Sequence, residues 1–332
     1  MISKFKNLLT SSIEIIFTPI YDLIFGTKKN VEHIWKPINY LHFSKTRWHL
    51  IEKPLQKRGI YLPLDARKLK NLDSFKTFNN EHKILDKYMR LIDTNSFNKT
   101  FIDIGASDGI DMSNTFNLVV NGFSGLMFEY NSSKFSKLAT IYREFEEIEL
   151  HKTKITPSNC NNMISHFKEG DEIDVLNLDI DSYDFYILKE LLMARTFKFL
   201  ILEVNPMFPI DIDFSVTFSK DFIWEENQFQ GASVSVMYKL LKKHQYSVIH
   251  IDQNFLLALN DNYLNSDIRN LNTEEIDRRL TESLINNDYK RYKKYYKQIR
   301  DLDTISGINK TTKIFEKYTN YIIEPSGFER SK

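Results

Sequence analysis

The stretch FIDIGASDGID, from Phe101 to Asp111, decides the fold of this chain. A short apolar run opens the stretch, and a turn that contains Gly105 and Gly109 follows at once. Glycine adopts backbone conformations that other residues resist, so glycines beside a strand end suit a loop that a ligand touches. In doubly wound α/β sheets, ligands bind beyond the carboxyl ends of the strands. The stretch therefore predicts an α/β sheet with a binding site at this turn.

Further apolar runs on both sides of this stretch extend the sheet. With Phe101 to Ile104, the candidate strands are Gly125 to Phe128, Ile148 to His151, Val175 to Leu178, Phe199 to Leu202, Ser247 to Ile251 and Phe255 to Leu259. The helix-length stretches between them are Asn114 to Val120, Lys134 to Phe145, Asn159 to Phe167, Phe185 to Thr196 and Ser233 to His244. Apolar strands alternating with helices predict a Rossmann-like, doubly wound, seven-stranded sheet that is mostly parallel, with a terminal antiparallel strand.

The alternation divides the 332 residues into one catalytic domain and two extensions. Residues 1–75 lack strand alternation and are predicted to be helical or irregular. Residues 76–263 hold the sheet. Residues 264–332 form a helical C-terminal extension that includes Thr273 to Leu284 and the basic stretch Tyr289 to Arg300.

The composition excludes several classes of protein. Lys and Arg total 45 against 44 Asp and Glu, so no global charge excess draws the chain onto nucleic acid or an anionic membrane. Cys160 is the single cysteine, which excludes an internal disulfide and a cysteine-based zinc cluster. This cysteine usage fits the cytoplasm.

The N-terminal apolar stretch Leu8 to Phe25 raises the question of membrane contact. Glu14, Pro19 and Asp22 interrupt it, and a bilayer crossing needs about 20 predominantly apolar residues. The favoured interpretation is a helix packed on the domain or on a second copy in a homodimer. The alternative is an amphipathic helix at the inner face of the membrane.

The glycine turn admits three kinds of ligand chemistry. Its spacing is G-x-S-x-G rather than the dinucleotide pattern G-x-G-x-x-G, which disfavours a nicotinamide cofactor. The same letters spell a nucleophile elbow, in which Ser107 would attack with His244 or His250 as the base. That alternative is disfavoured because it gives Asp103 no role. Glu129, which follows the second strand, is placed to accept both hydroxyls of a ribose, so an adenosine cofactor is favoured.

Carboxylates and amides follow the fourth and fifth strands. Period-two alternation puts Asn177, Asp179 and Asp181 on one side, and Glu203 and Asn205 on one side of the next strand. Crowded carboxylates raise one another's pKa toward that of a useful general base, or they bind a hard cation. Base catalysis is favoured over a metal.

The ordered set of motifs resembles the class I S-adenosylmethionine-dependent methyltransferases, and more narrowly the FkbM-like and related bacterial methyltransferases. The elements that carry the resemblance are Phe101 to Gly109, Leu178 to Asp184, Glu203 to Asn205 and Gly231 to Ser233. It spans about Glu81 to Asn260. Ser107 replaces the usual middle glycine, and the segment where relatives often read S-Q-x-G-E-D differs here.

The resemblance implies a cofactor, a site and a reaction. It places S-adenosylmethionine on Asp103, Gly105, Ser107, Gly109, Glu129 and Asp179. For a hydroxyl acceptor, Asp181 and Glu203 are the first candidates for the base, and Asp179 orients the cofactor. A divalent metal on Asp179, Asp181 and Glu203 is the second option. The leading acceptor is a carbohydrate or glycan hydroxyl, and Trp224 with the segment Phe208 to Phe222 forms its wall.

Two other functions stay open. Asn205 to Phe208 is similar to the N-P-P-F motif of amino-methyltransferases, and the basic, tyrosine-rich tail suits a phosphate surface, so an N-methyltransferase for nucleic acid or protein is one alternative. Nucleic acid is disfavoured as a partner because packing explains those tyrosines better. A non-catalytic scaffold that keeps the cofactor-binding fold is the other.

Overall fold

A computed structural model describes residues 81–110, 112–143, 145–168, 170–286 and 290–330. The predicted N-terminal extension, with its apolar stretch, lies outside these residues. Among the helices in the described ranges, none combines the length and apolar character needed to cross a membrane.

A seven-stranded sheet and a separate two-stranded sheet organise the described residues. The strands are β1 (Thr100–Ile104), β2 (Ser124–Phe128), β3 (Ile148–His151), β4 (Glu172–Leu178), β5 (Thr196–Glu203), β6 (Ile212–Val216), β7 (Tyr246–Asp252), β8 (Phe255–Asn260) and β9 (Tyr321–Pro325). The large sheet has the order β3-β2-β1-β4-β5-β8-β7, and β6 pairs with β9. All seven predicted strands are present in the large sheet, so the predicted Rossmann-like class is confirmed.

The predicted terminal antiparallel strand is β8, the last strand of the large sheet along the chain. The antiparallel strand β8 lies inside the sheet, between β5 and β7, and pairs antiparallel with both. The tight hairpin makes β8 fold back into the space beside β5, which leaves β7 at the edge.

Helices cover both faces of the sheet. They are α1 (Glu81–Met89), α2 (Phe116–Val120), α3 (Ser132–Tyr142), α4 (Cys160–Met163), α5 (Asp184–Ala194), α6 (Val234–Lys243), α7 (Thr273–Asn286), α8 (Lys290–Arg300) and α9 (Thr304–Ile314). Phe101 and Val175 face one apolar core, whereas their neighbours Ile102 and Leu176 face the other. Burial on both faces explains why the strands are continuously apolar.

The C-terminal tail contains α7, α8 and α9 and also contributes β9. This strand pairs antiparallel with β6, more than 100 residues earlier in the chain. Asp211, next to β6, accepts hydrogen bonds from Thr304 (2.5 Å) and Arg330 (2.6 Å) of the tail. In α8, Tyr292 and Tyr296 are buried, so these rings pack on the domain and are unavailable for stacking on bases.

Candidate functional site

The turn after β1 requires glycine at two positions. Gly105 has φ +98°, and a Cβ there would lie 1.7 Å from the carbonyl oxygen of Asp179. Gly109 has φ +76°, and its Cβ would lie 2.4 Å from side-chain atoms of both Leu138 and Tyr142. These close approaches pack the turn against the residue that follows β4 on one side and against α3 on the other.

Ser107, at the centre of the turn, also adopts a left-handed conformation, with φ +54°. A non-glycine residue pays about 1–2 kcal/mol for this backbone. Its N–H donates a hydrogen bond to Glu129 Oε2 at 3.0 Å, which links the turn to the end of β2. Neither His244 nor His250 is among the described residues that line the cleft with Ser107. His250 lies beside the rings of Tyr88 and Phe255, and burial lowers its pKa to about 4.

Glu129 is buried and fixed by the backbone around it. Its Oε2 accepts from Ser107, and its Oε1 accepts from the N–H of Asn131 at 2.5 Å. Burial raises the pKa of this carboxyl. The N–H of Tyr130 is a third backbone group that stabilises the carboxylate, and Glu129 lines the cleft. A carboxylate in this position can accept a hydrogen bond from a ligand hydroxyl.

Asp103, on β1, connects three elements. Its two oxygens accept from Thr115 Oγ1 (2.5 Å) and Asn177 Nδ2 (2.8 Å). Burial raises its pKa to about 6, and the hydrogen bonds limit the rise. Asp103 therefore holds β1, β4 and the approach to α2 together at the wall of the cleft.

Asp179, Asp181 and Glu203 meet at the ends of β4 and β5. Each offers one carboxylate oxygen, and these three atoms lie within 4.8 Å of one another. Burial raises the pKa of Asp179 to about 7, and the Asp184 charge adds to the effect. Burial and the charge of Asp179 hold the pKa of Glu203 well above its ordinary value. Crowding of these acids therefore makes both Asp179 and Glu203 harder to ionise than isolated carboxyls.

Glu203 stands behind the other two acids. Its Oε1 accepts from Gln230 Nε2 (3.1 Å) and Asn254 Nδ2 (2.9 Å), and it is not among the described residues that line the cleft. Glu203 Oε2 and Gln230 Oε1 are buried without a hydrogen-bond partner from the described residues. Of the three acids, Asp179 and Asp181 therefore line the cleft.

Asp184, which sequence reasoning did not single out, shapes the turn that carries these acids. Its two oxygens accept from the N–H groups of Ile180 and Ser182, both at 2.9 Å. Asp181 has φ +56° within this turn. Because Asp184 satisfies the local N–H groups, Asp179 and Asp181 are not needed to start α5.

Asn205 does not join the site. It is fully buried, its Nδ2 donates to the carbonyls of Gln228 (2.8 Å) and Gln230 (2.9 Å), and its Oδ1 accepts from Met207 N–H (3.0 Å). These bonds use its amide to shape a turn. The expectation that Asn205 converges with the acids is wrong, and so is its role in an amino-methyltransferase motif, because the chain leaves the β5 pleat after Glu203.

A cleft of about 430 Å³ runs from the glycine turn to the loop before α6. Besides the residues above, its walls include Met112, Tyr130, Lys134, Lys154, Phe222 and Trp224. The predicted wall is therefore only partly correct: Trp224 and Phe222 line the cleft, whereas Phe208 is buried in the core and β6 follows it. Lys154 was not predicted. Its Nζ donates to the carbonyls of Lys220 (3.0 Å) and Phe222 (3.1 Å), which ties this loop to the end of β3.

Comparison with known proteins gives matches in structure alone. No family model and no curated protein matches the sequence. The chain is similar to the N-terminal domain of EvdMO1 solved with SAH and D-fucose, at 10% identity over 57% of this chain and 84% of that one, with a TM-score of 0.37. It is also similar to magnesium protoporphyrin IX methyltransferase from Synechocystis PCC 6803 with bound SAM, at 10% identity over 54% and 78%, with a TM-score of 0.32. An O-methyltransferase family protein from Burkholderia thailandensis matches at 11% identity over 54% and 56%, with a TM-score of 0.31. At these scores we base the fold on the sheet order and the function on the site.

Proposed function

We propose that this chain is a methyltransferase that uses S-adenosylmethionine. The observation that carries the proposal is the glycine turn after β1, joined through the Ser107 N–H to Glu129 at the end of β2. The turn brings backbone to the ligand, and Glu129 presents two acceptor oxygens to the ribose hydroxyls of an adenosine. The sequence resemblance to class I and FkbM-like methyltransferases supports the same cofactor.

The acids beyond β4 and β5 suit transfer to a hydroxyl. S-adenosylmethionine supplies a methyl group on a sulfonium, so the acceptor oxygen gains the carbon as the carbon–sulfur bond breaks and its electron pair stays on sulfur. The hydroxyl proton needs a base with a pKa near the operating pH. Asp181 faces the cleft as the base, and the Asp179–Glu203 pair has the raised pKa that lets it receive the proton.

A carbohydrate or glycan hydroxyl is the acceptor that we propose. Tyr130 and Trp224 present rings at the cleft wall, and Asp181 presents a hydrogen-bond acceptor nearby. Rings that pack on the apolar face of a sugar, with carboxylates for its hydroxyls, are a suitable combination for this class of substrate. The proposal for the acceptor rests on this lining and on the resemblance.

A divalent cation is the second option for activating the hydroxyl. Asp179, Asp181 and Glu203 would hold it, and the unpartnered Glu203 Oε2 and Gln230 Oε1 supply the oxygen surroundings that Mg²⁺ or Ca²⁺ prefers. Such an ion would polarise the acceptor oxygen. Loss of turnover in EDTA and its recovery with Mg²⁺ would favour the ion over the carboxylate base.

A calorimetric titration tests the proposal. The protein should bind S-adenosylhomocysteine and show no heat with NADH, and it should then transfer label from methyl-labelled S-adenosylmethionine to a sugar or glycan. The absence of binding to S-adenosylhomocysteine would refute the proposal. Binding without transfer to any acceptor would support the scaffold, and steeply salt-dependent RNA or DNA binding would support the nucleic-acid alternative. Cytoplasmic placement, peripheral membrane contact and a homodimer remain predictions.

A further inference from the structure

Glu81 is a buried acid next to the site that the proposed reaction leaves without a role. It begins α1 and is only 7% exposed. Helix-starting acids are usually exposed and stabilise the helix dipole. Glu81 instead points inward, where its carboxyl is hydrogen-bonded to the side chain of Asn114.

Asn114 connects Glu81 to the cleft. It lines the cleft, and its Nδ2 donates to Asn177 Oδ1 at 3.2 Å. Asn177 in turn donates to Asp103 at 2.8 Å. Asn114 Oδ1 is buried and accepts no hydrogen bond from the described residues. A buried acceptor without a partner is destabilising, so a ligand that donates a hydrogen bond to this oxygen would be favoured.

The charges around Glu81 call for a cation. The two charged groups that act on it are Asp179 and Asp252, and both are carboxylates. Burial and the negative charges of these neighbours raise the pKa of the Glu81 carboxyl to about 8. A ligand with positive charge and several N–H donors would satisfy Glu81 and Asn114 Oδ1 together.

The proposed cofactor carries such a group at the corresponding end. With its ribose at Glu129 and its sulfur at the turn, the methionine part would lie at the cleft wall that Asp103 and Asn114 form. Asp103 already accepts hydrogen bonds on both oxygens from Thr115 and Asn177. Asp103 and Glu81 are linked through Asn177 and Asn114, so Glu81 is a second carboxyl of the same hydrogen-bond network.

We propose that Glu81 is a further cofactor-binding residue, and that Glu81 and Asn114 Oδ1 together bind the α-ammonium group of S-adenosylmethionine. The proposal rests on the proposed function. Glu81 would then be the carboxylate that distinguishes ligands that carry the amino-acid part from ligands that lack it.

Two ligands separate this proposal from the proposed function. S-adenosylhomocysteine has the ammonium group, whereas 5′-methylthioadenosine has the same adenosine and sulfur without it. Calorimetric titrations of the full chain should show Glu81→Gln weakening S-adenosylhomocysteine binding about 10-fold or more, because a charge-assisted bond is lost. The same substitution should change methylthioadenosine binding less than about 2-fold. Asp86→Asn, on the same helix but bonded to Asn117, is the matched control and should leave both affinities unchanged.

The titrations distinguish failure of the proposed function from failure of the proposal for Glu81. If the wild-type chain binds neither ligand, the proposed function fails. If it binds both and Glu81→Gln weakens neither, or weakens both equally, the proposal for Glu81 is overturned while the proposed function stands. Asn114→Ala provides a second test, because it should also weaken S-adenosylhomocysteine selectively.

Discussion

Buried charges of opposite sign pair at the amino end of β4 and β5, whereas carboxylates crowd together at the carboxyl end. At the amino end, Lys198 and Asp174 are 1% and 0% exposed, and their charges pair at 2.6 Å. Lys198 also lies 3.2 Å from Glu172. At the carboxyl end of the same two strands, the negative charges of neighbouring carboxylates act on Asp179 and Glu203, and both have raised pKa values.

The paired charges at the amino end stabilise the fold, whereas the crowded charges at the carboxyl end are suited to binding a ligand. Lys198 pairs with Asp174 and Glu172 at the amino end, so the buried charges there have a partner of opposite sign within the chain. At the carboxyl end like charges are held together, which costs stability and is common where a ligand or proton will arrive. The uncompensated carboxylates at the carboxyl end of β4 and β5 therefore indicate where the site lies.

The largest expected effect breaks the balanced end. Lys198→Met leaves Asp174 buried without its cation, which should lower the free energy of unfolding by about 3–5 kcal/mol. Asp179→Asn, on the same pair of strands, removes a repelled charge and should leave stability equal or higher. Urea unfolding of both variants checks the contrast. Equal losses in the two variants would show that both ends are structural.

The next effect concerns chemistry at the unbalanced end. Asp181→Asn should reduce methyl transfer by about 10² to 10⁴-fold, because a positioned base is lost. Asparagine tolerates the left-handed backbone at this position, so binding of S-adenosylhomocysteine should be retained. Single-turnover transfer and calorimetry measure the two quantities. Unchanged transfer would remove Asp181 from the mechanism.

The smallest effect is a pH dependence of stability. The pKa of Glu81 is about 8 in the folded chain against 4.5 ordinarily, so the folded state binds the proton more tightly. The contribution of Glu81 to the free energy of unfolding is fully present below about pH 4.5, and it is lost as the pH rises through 8. The ligand-free protein should lose about 2 kcal/mol of stability between pH 6 and pH 8, and Glu81→Gln should flatten this slope. Identical slopes in the two proteins would contradict the assignment.

The sequence was most informative where burial is two-sided. Continuously apolar strands revealed the seven strands of the large sheet, and the spacing from Gly105 to Glu129 indicated which loop meets which acid. Periodicity carries no record of which strands pair, so the position of β8 and the pairing of β6 with β9 required the structure.

The site was partly visible for the same reason. Extending the alternation of β4 past its end at Leu178 singled out Asp179 and Asp181, although Asp181 lies in a turn with φ +56°. The same extension of β5 past Glu203 misplaced Asn205. Glu81 resembles an ordinary first-turn acid, and only its burial next to Asn114 distinguishes it. Lys154 acts through loop carbonyls that no local pattern identifies.

Calorimetric titration of Glu129→Ala with S-adenosylhomocysteine tests the central claim most directly. The matched control is Glu149→Ala on the neighbouring strand β3, where the glutamate faces His151 and His166 rather than the cleft. The wild type and the control should bind alike, and Glu129→Ala should bind at least about 100-fold more weakly, because both ribose acceptors and the anchor of the Ser107 turn are lost. Equal affinity in Glu129→Ala and the wild type would contradict an adenosine pocket at this turn.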